Sequence, residues 1–190
     1  MKRIDVMVDI ETLGTDTDST IFQISAIAFD INTGEYISTF NEIADIEQNE
    51  TLNVTGSTLK WWLNTNKELL TNLLNQGAYS SGVILTKLHN WLMILSGDIK
   101  DVYLWGNGIL FDNKMLQYQM QSLGLNYPIF YRNDRDMRTL VELASHKVGI
   151  ATEKEFRDKY KNQDLVAHDA FDDVKGQIDI VVKSYNILTQ

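Results

Sequence analysis

The chain has 190 residues, 44% of them hydrophobic, with a single proline, Pro128; this suits one globular domain over 1–190 and excludes a disordered or low-complexity chain. Cysteine is absent, which excludes disulfides and thiolate metal sites, and the net charge of −9 weighs against gripping nucleic acid through a broad basic face. No apolar run approaches the ~18 residues of a membrane span, and Asp5 and Asp9 break up the apolar opening that a signal peptide needs, so a soluble, cytoplasmic protein is expected.

Residues 4–11 alternate as a strand should: Val6, Val8 and Ile10 share one face, and Met7, Asp9 and Glu11 share the other. The polar stretch 14–19 is a loop. A second strand is predicted over 21–30 and a third over 36–43, joined by the turn Asn32-Thr33-Gly34. Helical spacing follows over 58–63, which contains Trp61-Trp62, and over 68–74. Residues 82–95 place Val83, Leu85, Leu88, Trp91, Leu92 and Leu95 along one stripe. A short apolar strand over 102–105 gives way to the break Gly106-Asn107-Gly108. Helices are then expected over 111–123 and 136–147, while 150–166 is ambiguous because its charges are mixed. The last helix, 170–188, carries Val174, Ile178, Val181, Val182 and Tyr185 on its inner side. Strands first, then helices alternating with one more strand, predict an α/β fold with a central mixed β-sheet flanked by α-helices.

Three groups of residues carry chemistry. Asp9 and Glu11 stand two apart on one strand face, where burying both unpaired is costly and hard divalent cations would compensate; at a strand end both can also simply be solvated. Asp112 follows a strand and opens a helix, a place where α/β folds bind ligands and where an acid also favours the helix dipole. His168-Asp169-Ala170-Phe171-Asp172-Asp173 opens the last helix. A histidine there suits proton transfer, as imidazoles as a class titrate near neutrality, and it can equally be a residue placed beside acids that favour a helix start.

Together, Asp9-Ile10-Glu11-Thr12-Leu13-Gly14, Asn107 with Phe111-Asp112, and the His168–Asp173 run resemble the three motifs of the DEDDh branch of the DnaQ-like, ribonuclease H-fold 3′→5′ exonucleases, in the same order and across nearly the whole chain. The segments Trp61-Trp62-Leu63 and Arg138-Thr139-Leu140 look most like the small phage enzymes of the exonuclease A type, in which case the cytoplasm is that of the host cell. The oligoribonuclease-like members share the His-x-Ala-x-Asp-Asp element.

The resemblance implies that Asp9, Glu11, Asp112 and Asp173 hold two ions of Mg²⁺ or Mn²⁺ and that His168 is the general base. Asp172 competes with Asp173, but the histidine branch places its ligand five positions on, and the four-position step belongs to a tyrosine branch whose tyrosine is missing here. Thr12 and Leu13 look like contacts to the terminal nucleotide, with Asn107 and Phe111 as further candidates. At least one of Trp61 and Trp62 is expected in the core, and His89 and His146 are expected to be structural or exposed. The implied reaction is two-metal hydrolysis releasing nucleoside 5′-monophosphates from the 3′ end of single-stranded DNA, with an oligoribonuclease-like action on RNA as the alternative. A ribonuclease H-type endonuclease fits less well, since it generally lacks the paired Asp-x-Glu and the histidine-led helix. A silent nucleic-acid-binding module would be signalled by a missing carboxylate, and all four are present. No polymerase-docking tail is seen after Gln190, which favours an enzyme acting alone.

Overall fold

The computed structural model describes residues 3–160 and 165–190, so Met1 and Lys2 of the opening segment and residues 161–164 of the mixed-charge stretch lie outside the described residues. Five strands form one mixed sheet: β1 (Ile4–Thr12), β2 (Ile21–Phe29), β3 (Tyr36–Ile43), β4 (Val102–Gly106) and β5 (Asp134–Asp136), in the order β3-β2-β1-β4-β5. The first three make an antiparallel meander. β4 runs parallel to β1, and β5 parallel to β4. Parallel strands end at the same edge of a sheet. The carboxyl end of β1, with Asp9 and Glu11, is therefore brought beside the segment that leaves β4 toward Asp112.

The period-two pattern of β1 sorts its side chains between two cores. Ile4, Val6, Val8 and Ile10 pack with Leu85, Leu88 and Leu92 of α3 (Ser81–Leu95) and with Met115, Leu116 and Met120 of α4 (Asp112–Ser122). Met7 faces the other side, among Met137, Val141 and Ala144 of α5 (Met137–Lys147), Phe156 of α6 (Glu153–Tyr160), and Val174, Ile178 and Val181 of α7 (Ala170–Thr189). Each such aliphatic side chain contributes about 1.5–3 kcal/mol by leaving water. A third cluster joins Leu13 and Phe22 to Trp62 of α1 (Gly56–Thr65) and to Leu70 and Leu73 of α2 (Lys67–Leu74). It covers the end of β1 just beyond Glu11.

Most elements fall within a residue or two of the expected spans; three details differ. The inward stripe of α3 is Ile84, Leu85, Leu88 and Leu92, while Val83 is exposed and Trp91 and Leu95 are only partly covered. The helix axis thus lies about one position off the predicted stripe. Part of the ambiguous segment folds as α6, anchored by Phe156 at 0% exposure. β5 was not foreseen, because three residues reading Asp-Arg-Asp carry no apolar signal; its place comes from pairing with β4.

Candidate functional site

Asp9 and Glu11 lie on the α7 side of the sheet. One carboxylate oxygen from each of Asp9, Glu11 and Asp173 comes within 4.8 Å of the others. Asp173 belongs to the first turn of α7, and its place is fixed from two sides. Asp169 caps the helix by accepting from the N–H groups of Phe171 and Asp172 at 3.0 and 3.3 Å, and the Ala170 N–H donates to Gln23 Oε1 of β2 at 3.2 Å. Asp112 stands outside this mutual group, at the first residue of α4, where it is 5% exposed. Gly106, at the end of β4, leaves room for the neighbouring Asn113, whose Oδ1 a Cβ there would strike.

Burial, followed by the charges of Asp112 and Asp173, holds the Asp9 carboxyl well above the usual range; the amide of Gln177, donating to Asp9 Oδ1 at 2.8 Å, acts the other way. Glu11 is raised in the same manner, by burial and then by Asp9 and Asp173. Burial lifts Asp112 to about 7, against the pull of the backbone amides of Asp112 and Ile10 and of the Arg138 guanidinium. Crowded, buried carboxylates resist ionising together unless a cation joins them. The donor set fits such an ion, since it consists of hard oxygen ligands. One buried acceptor at the site, Gln177 Oε1, has no hydrogen-bond partner among the described residues.

His168 has a left-handed backbone, φ 68°, a conformation that non-glycine residues seldom adopt. The bend turns its N–H onto Asp173 Oδ2 at 3.0 Å. Its ring meets Trp61 edge-on, with centroids 4.9 Å apart, and Trp61 meets Trp62 in the same way at 5.0 Å. Trp62 Nε1 in turn donates to the Thr12 carbonyl at 3.0 Å, tying the pair to the end of β1.

A cleft of about 860 Å³ is lined by Asp9, Glu11, Asp112, His168 and Asp173, by Asn107 and Phe111 on one side, and by Arg157 of α6 on another. Thr12 and Leu13 are placed behind it. Leu13 is 4% exposed in the third cluster, with its N–H donating to the Thr20 carbonyl. Trp62 is buried at 1%, whereas Trp61 is 41% exposed. Asp172 faces Lys175, which donates to it at 2.8 Å. Sequence reasoning passed over Gln177 and Arg157. Gln177 carried a signal: it stands four residues after Asp173, hence on the same helix face. Arg157 carried none, lying in the segment of mixed charge.

The model of a family described as the 3′-5′ exoribonuclease Rv2179c-like domain matches residues 4–185. No curated protein sequence matches the chain. Among solved structures, the chain is similar to cell-death related nuclease 4, with TM-score 0.68 and 17% identity over 97% of this chain and 64% of that one. It is similar to the nuclease domain of 3′hExo, a DEDDh family member bound to rAMP, with TM-score 0.66 and 16% identity over 97% of this chain and 92% of that one. It is also similar to the zinc-bound complex of E. coli ExoI with single-stranded DNA, with TM-score 0.68 and 14% identity over 98% of this chain and 41% of that one. At these identities the likeness speaks for the fold, the mixed sheet flanked by helices. The chain spans a little under two thirds of the first of these nucleases and about two fifths of the last.

Proposed function

The chain belongs to the Rv2179c-like 3′-5′ exoribonuclease domain family, and from that premise we propose that it trims single strands from a free 3′-hydroxyl, releasing one nucleoside 5′-monophosphate at a time. It is a 3′-5′ exonuclease domain of the DEDDh type. The observation that carries the proposal is the meeting of Asp9, Glu11 and Asp173 within 4.8 Å on one side of a cleft that also holds Asp112 and His168. Asp9, Glu11, Asp112 and Asp173 would hold two divalent cations, and an oxygen-only donor set favours Mg²⁺ or Mn²⁺. Such a pair, when bound, supplies charge to both oxygens of an in-line displacement and makes water more acidic.

The chain's own groups do the rest. His168 accepts the proton of the attacking water, with its ring held by the edge of Trp61. Gln177 orients the Asp9 carboxylate, and the His168 N–H orients Asp173. Asn107 and Phe111 contact the terminal nucleotide. Thr12 and Leu13 contribute from behind, by fixing Trp62 and through it Trp61, whose exposed face takes a base by stacking whatever its sequence. The family description favours RNA as the first substrate. Single-stranded DNA, the expectation from sequence, stands second, and Trp61-Trp62-Leu63 with Arg138-Thr139-Leu140 supports a small phage-type exonuclease within the family.

The test uses 5′-labelled RNA and DNA strands of one sequence, each ending in a 3′-hydroxyl or a 3′-phosphate, in Mg²⁺, in Mn²⁺ and in chelator. A metal-dependent ladder of shortening products, faster on RNA and blocked by the 3′-phosphate, is expected. Immediate release of the labelled mononucleotide would overturn the polarity, and intact strands under every metal condition would overturn the proposal.

A further inference from the structure

Beside the cleft, two guanidinium groups meet on one amide and leave hydrogen-bond donors turned outward. Asn107 lines the cleft at the turn after β4. Its Oδ1 accepts from Arg157 Nη2 at 3.1 Å and from Arg138 Nε at 3.4 Å. Guanidinium groups only donate, so both bonds must fall on the amide oxygen and leave the Asn107 NH₂ as the outward group. That NH₂ has no hydrogen bond among the described residues, and neither do both Nη atoms of Arg138 nor Nη1 of Arg157.

Charge separates the two arginines. Arg157, with a side chain 25% exposed, pairs through Nε with Glu153 at 2.8 Å, so its charge is largely answered. Arg138 is exposed and has no ion pair among the described residues. Its guanidinium lies over Gly108, whose φ is 122°; a Cβ at that glycine would come within 3.2 Å of Arg138 Cζ. With Arg157 paired to Glu153, the Arg138 charge is the one that an anion seated beside both groups would answer. Arg138 is also near enough to Asp112 for its charge to act against the burial that raises that carboxyl. The cleft therefore has the carboxylates Asp9, Glu11 and Asp173 in its lining and also Asn107 and Arg157, the latter beside the acids Glu153 and Asp158, with Arg138 joined to this second group through Asn107.

We propose that Asn107, Arg138 and Arg157 form a second phosphate site, which takes a backbone phosphate of the strand other than the one being cut. This rests on the exonuclease reading above and assigns the grip that a net charge of −9 withholds elsewhere. Planar guanidinium donors match two phosphate oxygens at once, and the amide supplies a third contact.

The experiment compares oligonucleotides of three to ten residues with the p-nitrophenyl ester of thymidine 5′-monophosphate, which has a single phosphodiester and nothing for a second phosphate site to hold. Arg138→Gln and Arg157→Gln should raise KM on the oligonucleotides about tenfold while kcat moves little, and the loss on the ester should be at least several-fold smaller. The slope of log(kcat/KM) against log salt should shrink by about one for each variant. Arg138→Lys should recover part of the loss, as it keeps the charge without the fork. Equal losses on ester and oligonucleotide would show that these arginines only brace the turn carrying Asp112 and would overturn the proposal, as would unchanged kinetics. If the natural protein cuts neither substrate, the exonuclease reading has failed instead. The site is then tested by the anisotropy of a labelled oligonucleotide in Ca²⁺, where Arg138→Gln should bind about tenfold more weakly. Unchanged binding, or no binding by the natural protein, overturns it.

Discussion

Asp5 and Asp9 are the same residue type on the same face of the same strand, four positions apart, and their surroundings are opposite. Asp5 is 2% exposed and is fully answered by protein groups: Arg3 donates to both of its oxygens at 2.8 Å, and Trp105 Nε1 donates at 2.7 Å. Asp9 faces Glu11, Asp112 and Asp173, and its hydrogen bond comes from the neutral amide of Gln177. A buried carboxylate that the chain neutralises itself is part of the scaffold. A carboxylate packed among others of its own charge is built to be neutralised from outside.

The sharpest way to break this contrast is Asp9→Asn. Turnover should fall on the order of 10³-fold or more, because the ligand set is incomplete. Thermal unfolding in chelator should stay level or shift upward, because one member of a repelling group is gone. Ordinary activity in Mg²⁺ would remove Asp9 from the site. Next in size is His168→Asn, which keeps a residue tolerant of left-handed backbone. Loss of a positioned base should slow turnover about 10²–10⁴-fold with Mn²⁺ affinity retained, and the deficit should narrow at high pH as hydroxide replaces the base. A pH–rate profile parallel to that of the natural protein would assign His168 a purely structural part.

Asp5→Ala tests the other half. It strands Trp105 Nε1 and half-exposed Arg3, so a denaturant titration should register a loss of about 2–3 kcal/mol, with kcat at low temperature little changed. Activity falling as steeply as for Asp9→Asn would erase the distinction between the two aspartates. The smallest effect is on stability against pH. Asp9, Glu11 and Asp112 are raised by burial, Asp112 to about 7, so the metal-free folded state binds their protons more tightly than the unfolded chain does. That stabilising contribution is complete below about pH 4 and is lost as pH climbs toward about 7. In chelator, Tm should therefore be lower at pH 8 than at pH 5, and Mn²⁺ should raise it more at pH 8, where the ligands are deprotonated. A larger Mn²⁺ gain at pH 5 would contradict the assignment.

The sheet, its flanking helices and the division of β1 between two faces were legible because alternation and helical stripes are local signals. The motif residues were legible as candidates, and the parallel pairing of β4 with β1 supplies what spacing could not: the route by which Asp112 reaches Asp9 across about a hundred intervening residues. What stayed hidden depends on contacts between distant residues. Gln23 holds the start of α7 from 147 positions away, and Gln177 reaches Asp9 across 168. Gln23 does not differ in the sequence from a surface glutamine, and Gln177 is marked only by standing four residues after Asp173. The donor cluster on Asn107 was hidden for the same reason, since Arg157 lies 50 residues further on, in a helix whose charges mask its single buried anchor, Phe156.

The link from His168 to Asp173 passes through the main chain, so the loop is buttoned to the helix by an atom that nineteen of the twenty amino acids possess. The bond is independent of the imidazole. Its position behaves as a socket for residues that accept a left-handed backbone: asparagine or glycine can be exchanged into it with the main-chain bond to the neighbouring carboxylate kept. Proline, having no N–H to give, would undo the button, and His168→Pro should disturb Asp173 more than His168→Asn or His168→Gly does.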